Sequence, residues 1–176
     1  MEKPEPQGRA EVEVDLGEEP AEADATAVLR GLLAFNEPYL GPSDFRRLSV
    51  MARVRGEVVG GLIGETGRGF LSVELFWVTA ERRSQGLGTR LLAAAEAEAR
   101  RRGCRSAYLD TYDFQARPFY ERHGYRSFGE LAGFPGGRRR FYLVKRLTTE
   151  GEGAAATPAA EAPLTPPSPG RATGTP

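Results

Sequence analysis

The most constraining feature of this sequence is a β-prone run that leads, through a glycine-containing turn, into a long amphipathic helix. Phe70–Thr79 is rich in β-branched and aromatic residues, which favour a strand, and Ser84–Arg102 repeats apolar residues at helical spacing up to Gly103. The turn, Arg83–Thr89, contains two glycines. Unpaired N–H groups and the helix dipole make a helix start an anion site, and glycines let phosphate oxygens approach closely. The segment therefore predicts a diphosphate site.

Two common phosphate loops do not fit this segment. A Walker loop requires Gly-Lys-Ser/Thr four residues after a glycine, and the chain has no such sequence. A dinucleotide fingerprint counted from Gly86 requires a third glycine where Leu91 stands, and it opens a parallel sheet rather than following a meander. Nucleoside triphosphates and dinucleotides are thus disfavoured as ligands.

Strand-like and helix-like periodicities alternate along the middle of the chain. Arg47–Arg55, Glu57–Gly64 and Phe70–Thr79 predict an antiparallel meander, with a turn at Glu65–Gly69 before the third strand. The strand Ser106–Asp110 follows the long helix and should run parallel to the strand before that helix. The other predicted elements are a strand at Ala10–Leu16, helices at Glu22–Leu40 and Gln115–Arg122, and strands at Tyr125–Leu131 and Arg139–Leu147. The fold class is α/β or α+β, a mixed sheet flanked by helices.

Length and composition exclude several classes of protein. The 176 residues suit one domain, and Lys plus Arg equal Asp plus Glu at 24 each, so the charge gives no indication of nucleic acid as a partner. One cysteine, Cys104, and one histidine, His123, are too few for a disulfide framework or a Cys/His zinc cluster. The sequence shows no membrane-length apolar run and no apolar leader, so a soluble cytoplasmic protein is expected. No metal is expected either.

The two ends of the chain differ in composition from the middle. Residues 148–176 are rich in Pro, Ala, Gly and Thr, and residues 1–8 are similarly polar. Such segments bury too little apolar area to offset the entropy of ordering them. We expect a flexible segment at 1–8, a folded domain at 9–147 and a disordered tail at 148–176.

Two motifs resemble those of the GNAT superfamily of acyl-CoA-dependent N-acyltransferases. Arg83-x-x-Gly86-x-Gly88 is similar to the family's Arg/Gln-x-x-Gly-x-Gly/Ala phosphate loop. Downstream, the segment from Ala116 through Tyr120 to Gly124-Tyr125 resembles its Ala-x-x-x-Tyr-x-x-x-Gly-Phe/Tyr segment. The resemblance covers about residues 10–147 and implies a largely antiparallel sheet of about six to seven strands. It also implies acetyl-CoA as co-substrate.

The resemblance assigns most of the cofactor site to the opening feature. The strand ending at Val78 would splay from the one starting at Ser106, and the pantetheine arm would bond to Phe76, Trp77 and Val78 like an added strand. The Val78 N–H would stabilise the oxyanion. The residues expected to hold the diphosphate are Arg83, Ser84, Gln85, Gly86, Leu87, Gly88 and Thr89. Asp113 stands where the family commonly has a cofactor-contacting asparagine, for which Gln115 is a substitute.

Transfer to an amine needs a proton acceptor and a proton donor. By period-two alternation Glu74 shares a strand face with Ser72, Phe76 and Val78, so it is a candidate base through a water; a salt-bridged strand carboxylate is the alternative. The resemblance assigns the acid to Tyr120, with a core aromatic as the alternative.

Other reactive side chains are given structural roles. His123 is expected at a surface helix end, and Cys104 as a small buried residue.

The acceptor is left open by the sequence. In the family its surface is usually built from the first helix and the following loop, here about Leu32–Arg47 with Glu37, Tyr39 and Asp44, and from the loop at Leu131–Gly137. The predicted function is N-acetyl transfer from acetyl-CoA to a primary amine of a small molecule or peptide. The alternative is a non-catalytic acyl-CoA-binding sensor. No nucleic acid or membrane partner is expected, and a homodimer is left open.

Overall fold

A computed structural model describes residues 12–147 of the chain, and the segments predicted at 1–8 and 148–176 lie outside that range. The helices are α1 (Glu22–Leu40), α2 (Leu87–Arg101) and α3 (Arg117–Arg122). The strands are β1 (Arg46–Val54), β2 (Glu57–Gly67), β3 (Phe70–Val78), β4 (Ser106–Tyr112), β5 (Arg126–Phe134) and β6 (Arg138–Arg146). None of the helices in this part of the chain is long and apolar enough to cross a membrane.

The six strands form one sheet in the order β1-β2-β3-β4-β6-β5. Only β3 and β4 pair in parallel; the other pairs are antiparallel. This confirms the mixed, largely antiparallel sheet and the parallel crossover through α2. The hairpins β1-β2 and β2-β3 turn on Arg55-Gly56 and Arg68-Gly69, all at positive φ, because such two-residue turns match the twist of the strands.

The hydrophobic core lies between α2 and one face of the sheet. The apolar side of α2, including Leu92, Ala95 and Ala99, is buried against strand residues such as Leu62 and Leu71. Leu147 closes the core at its end, since its N–H donates to Arg105 O at 2.8 Å. Helix α2 is therefore fixed to the sheet, and its N-terminus has a defined position beside β3.

Some predicted boundaries were wrong. Residues 12–16 form no strand: they pair with neither edge strand of the sheet, and Val12, Val14 and Leu16 are exposed. Strand β2 continues through the predicted turn to Gly67, and α2 begins three residues later than predicted. Between β3 and α2 the chain forms a tight turn in which Ser84 and Gly86 adopt positive φ.

Candidate functional site

The site is a cleft opened by the divergence of the two parallel strands. Strands β3 and β4 pair only over Phe70–Val73 and Ser106–Leu109. Beyond that point the stretch Leu75–Val78 pairs with β2 but has no strand on its other side, and a cleft of about 930 Å³ opens there. Its walls come from β3, the Arg83–Thr89 turn, the end of β4 and α3. The splay implied by the GNAT resemblance is thus present.

Main-chain groups of β3 face this opening. The Thr79 N–H donates to Val59 O of β2 at 3.0 Å, so by alternation the N–H and C=O of Val78 point to the open side. Consistently, Arg83 Nε donates to the Val78 carbonyl at 3.1 Å. The same alternation directs the N–H and C=O of Trp77 towards β2. We therefore expect the main chain of Phe76 and Val78 to form strand-like hydrogen bonds with a ligand, while Trp77 lines the wall of the cleft.

The start of α2 provides the anion-binding end of the cleft. The first bond within the helix runs from Arg90 N–H to Gly86 O, no side chain caps the helix, and its first turn contains no acidic residue. The preceding N–H groups are therefore free of helical partners. Gly86 has φ 76°, which an L-residue adopts only with strain. Arg83, Ser84, Gly86, Gly88 and Thr89 all line the cleft, as the motif predicts.

Three predicted cofactor residues point elsewhere. The side chains of Gln85 and Leu87 line a separate depression beside β1, and Gln85 Nε2 donates to Glu81 O at 2.7 Å. The Asp113 carboxylate lies 3.9 Å from Arg138 and is outside the lining of the cleft. Gln115 does line the cleft, where its Oε1 accepts from Tyr112 N–H at 2.8 Å and holds the turn before α3.

Tyr120 lies in the wall opposite β3. Its side chain is 7% exposed, and its ring packs against Phe76 and Phe119. Burial first, and then the negative charge of Asp110, raises the pKa of Tyr120 to about 12. The phenol therefore stays protonated at neutral pH, which is the state required of a proton donor to a thiolate.

The alternation predicted for Glu74 is wrong beyond Ser72, because β3 bulges at this residue. Val73 pairs with Gly64 and Leu75 with Ile63, so Glu74 is an extra residue in the ladder. The bulge sends Phe76 and Val78 to the α2 face, while Glu74 lies on the opposite face at the edge of the cleft. There Arg47 Nη1 donates to both carboxylate oxygens, at 2.6 and 2.9 Å. The role of Glu74 as the base stays a prediction, and its contacts are those of the alternative, a salt-bridged strand carboxylate.

Asp110 and His123 are polar residues of the cleft that were not assigned to the site from sequence. Asp110 lies on β4 and accepts from Arg140 Nε at 2.6 Å; its place near the carboxyl end of a strand bordering the cleft was the signal for it. His123 lies at the C-terminal end of α3, as expected, but it also lines the cleft: its Nδ1–H donates to Phe119 O at 2.7 Å, and its Nε2 lies 3.1 Å from Thr89 Oγ1. Nothing local in the sequence signals that contact. Cys104 is buried, as predicted, and burial raises its pKa.

Comparison with known proteins agrees with this geometry. The family model for the acetyltransferase (GNAT) family matches residues 18–125. This chain is a GNAT acetyltransferase. An acetyltransferase of Agrobacterium fabrum is 42% identical over 129 residues, which are 72% of this chain and 94% of that protein. The blasticidin-S acetyltransferase of Streptomyces morookaense is 47% identical over 94 residues, 53% of this chain and 69% of that protein.

A solved structure extends the agreement to three dimensions. A crystal structure from Agrobacterium tumefaciens, likewise assigned to the acetyltransferases, superposes with a TM-score of 0.71 at 38% identity. The match covers 77% of this chain and 99% of the chain in that crystal structure. As a GNAT acetyltransferase, the protein transfers an acetyl group from acetyl-CoA, and the non-catalytic alternative is not favoured. The free N–H groups at the start of α2 and the unpaired stretch of β3 are suited to the diphosphate and the pantetheine arm.

Proposed function

We propose that the protein acetylates a primary amine of a small molecule or peptide by direct attack of the amine on the thioester. The observation that carries this proposal is that the Val78 N–H and the buried Tyr120 line one cleft. An N–H at that point stabilises the oxyanion formed when the amine adds to the thioester carbonyl. Collapse of the adduct breaks the C–S bond, and Tyr120 supplies the leaving thiolate with its proton.

The amine must lose a proton during its attack, and we assign its removal to Glu74, acting through a water. Glu74 lies at one edge of the cleft, on the face away from α2, and we call this the acceptor edge. Its pairing with Arg47 holds the carboxylate in place, while the side chain remains 38% exposed to solvent. The chain's own residues thus provide both proton transfers without a metal.

The acceptor edge combines carboxylates with aromatic surface. Glu74 and Asp110 border it, and Trp77, with 52% of its surface exposed, lies beside them. Carboxylates and an aromatic face favour a cationic amine. Because one relative is a blasticidin-S acetyltransferase, blasticidin S is the first acceptor to test. A polyamine, an aminoglycoside and a peptide with a free N-terminus complete the panel.

The test is release of free thiol from acetyl-CoA over this panel of amines, with mass spectrometry of the products. We expect a mass increase of one acetyl group on at least one amine. Glu74→Gln should lower kcat/KM for that amine by roughly a hundredfold. Glu65→Gln is the matched control, because Glu65 also faces Arg47, at 4.0 Å, but lies outside the cleft. Equal rates for the two variants would remove Glu74 from the mechanism.

A further inference from the structure

Helix α1 makes few contacts with the rest of residues 12–147. None of its 19 residues is buried, and the apolar residues along one side are between 56% and 78% exposed. These residues are Val28, Leu29, Leu32, Phe35, Tyr39 and Leu40. A lone helix of this length is marginal in water, and Pro38 inside it adds a cost of about 3 kcal/mol. Helix α1 therefore needs a surface to pack against.

The sheet presents a matching surface on the face away from α2. Met51, Gly61 and Trp77 lie in one row across β1, β2 and β3, and Leu75 follows in the next row. Met51, Trp77 and Leu75 are 40%, 52% and 63% exposed. Helix α2 packs against the other face, and no helix within residues 12–147 covers this one. A sheet that is apolar on both faces needs a layer on each.

Helix α1 is held away from the sheet of its own chain. Arg68 N–H donates to Asp44 Oδ1 at 2.8 Å, and Arg68 Nη1 donates to Leu40 O at 3.1 Å. Phe45 packs directly over Gly67, where a Cβ would come within 2.3 Å of its ring. These contacts tie the C-terminal end of α1 and the loop after it to the β2-β3 turn. With this end held there, α1 leaves the face of its own sheet open to a second copy.

Charge also matches the two surfaces. The segment 12–40 contains seven carboxylates and one basic residue, Arg30. The segment 45–56, which contains edge strand β1, has four arginines and no acidic residue. Opposite charge on two surfaces of one chain favours mutual association of two copies.

We propose that two copies of this chain exchange residues 12–40, so that α1 of each covers the Met51–Leu75–Trp77 face of the other. Phe35 and Tyr39 of both copies would supply roughly 600–1,000 Å² of a standard interface of about 1,600 Å². The covered face borders Glu74, so each copy forms part of the acceptor wall of the other. This last step rests on the proposed function; the exchange itself does not.

The first test is the oligomeric state in solution. Sedimentation of the full chain at micromolar concentration should give twice the chain mass of 19.1 kDa. Val28→Glu/Leu29→Glu puts two charges on the apolar side of α1 and should give monomers. Ala23→Glu/Ala27→Glu adds the same charges to the opposite side and should remain dimeric. A monomeric wild type, or dimers of the Val28→Glu/Leu29→Glu variant, would overturn the exchange.

The second test separates exchange from folding back. The double variant Phe35→Cys/Leu75→Cys, treated with a short bifunctional maleimide, should yield covalent dimers on a denaturing gel. Each single variant should yield few, since the only native cysteine, Cys104, is 2% exposed. Links formed only within monomers would show that α1 covers its own sheet and would refute the proposal.

The contribution of α1 to the acceptor wall is tested separately, by acetyl-CoA binding and amine kinetics. Val28→Glu/Leu29→Glu should bind acetyl-CoA as the wild type does but lose at least tenfold in kcat/KM for the amine. Full amine turnover by the monomeric variant would contradict the shared wall and leave the dimer standing. A wild type that dimerises but acetylates no amine would instead contradict the proposed function alone.

Discussion

At the scale of single residues, the proposed chemistry depends on what burial does to the pKa of Tyr120. Its pKa of about 12 keeps the phenol protonated across the neutral range. A phenol held in this form can donate a proton to a leaving thiolate without first being titrated. Burial also raises the pKa of Tyr125, but Tyr120 lines the cleft and Tyr125 does not.

Replacing Tyr120 by phenylalanine keeps the ring and removes the proton. We expect Tyr120→Phe to lower kcat by about 10²- to 10³-fold with little change in acetyl-CoA affinity. Tyr108→Phe is the control, because Tyr108 lies on β4 outside the cleft and is exposed. Steady-state kinetics with calorimetric titration of acetyl-CoA would check this, and an unchanged kcat would return Tyr120 to the role of a core aromatic.

The same residue predicts how stability depends on pH. The pKa of Tyr120 is about 12 in the folded protein, against about 10 in the unfolded chain. Between these values the folded state binds more protons, so the free energy of unfolding should fall as pH rises from about 10 to 12. Denaturation of Tyr120→Phe should show a smaller fall over this window, and an equal fall in both proteins would count against the raised pKa.

Glu96 of α2 is a buried carboxylate, only 4% exposed. It accepts from Lys145 Nζ at 2.6 Å and so joins α2 to β6. Glu96→Ala should destabilise the fold by about 3 kcal/mol, because it leaves Lys145 unpaired in a largely buried place. In urea denaturation Glu98→Ala should cost clearly less, because Arg101 is exposed and Arg102 keeps its bonds to the carbonyl oxygens of Arg46 and Arg47. Equal losses would contradict a buried link.

At the scale of elements, the turn before α2 depends on the conformation of Gly86. A Cβ on Gly86 would meet nothing within 4 Å, so its positive φ alone opposes substitution. Gly86→Ala should cost about 1 kcal/mol and raise the KM for acetyl-CoA, because the N–H groups of the first turn move. Gly31→Ala, in ordinary helical space in α1, should be neutral or stabilising. Thermal denaturation and KM measurements would distinguish the two; an unaltered KM for Gly86→Ala would argue against the anion site.

The same elements show where sequence reasoning is strong. Period, glycine position and turn chemistry are local, so β1, β2, β3 and α2 could be predicted within a few residues. The bulge at Glu74 could not, because it depends on how many residues of β2 lie opposite. Likewise the ion pair of Arg140 on β6 with Asp110 on β4 could not, because it depends on the order of strands in the sheet.

At the scale of the whole molecule, the parallel pairs between β3 and β4 join the two halves of the sheet over a short stretch. A ligand in the cleft would contact both halves. Acetyl-CoA at a hundred times its Kd should therefore stabilise the folded protein by about 2.7 kcal/mol, measured as a rise in Tm. Acetate at the same concentration should give no rise, and an unchanged Tm with saturating acetyl-CoA would contradict binding in the cleft.

The sequence alone predicted the order of the elements from α1 to β6, and it placed the glycine turn between β3 and α2 and Tyr120 on α3, because each depends on residues close together in the chain. Only the tertiary structure decided that Glu74 lies on the other face from Val78, that His123 reaches Thr89, that Asp113 turns away from the cleft and that α1 buries none of its residues against the rest of 12–147. Each of these depends on strand register and on packing between distant segments. Local sequence patterns do not indicate which distant segment of the chain a residue will contact.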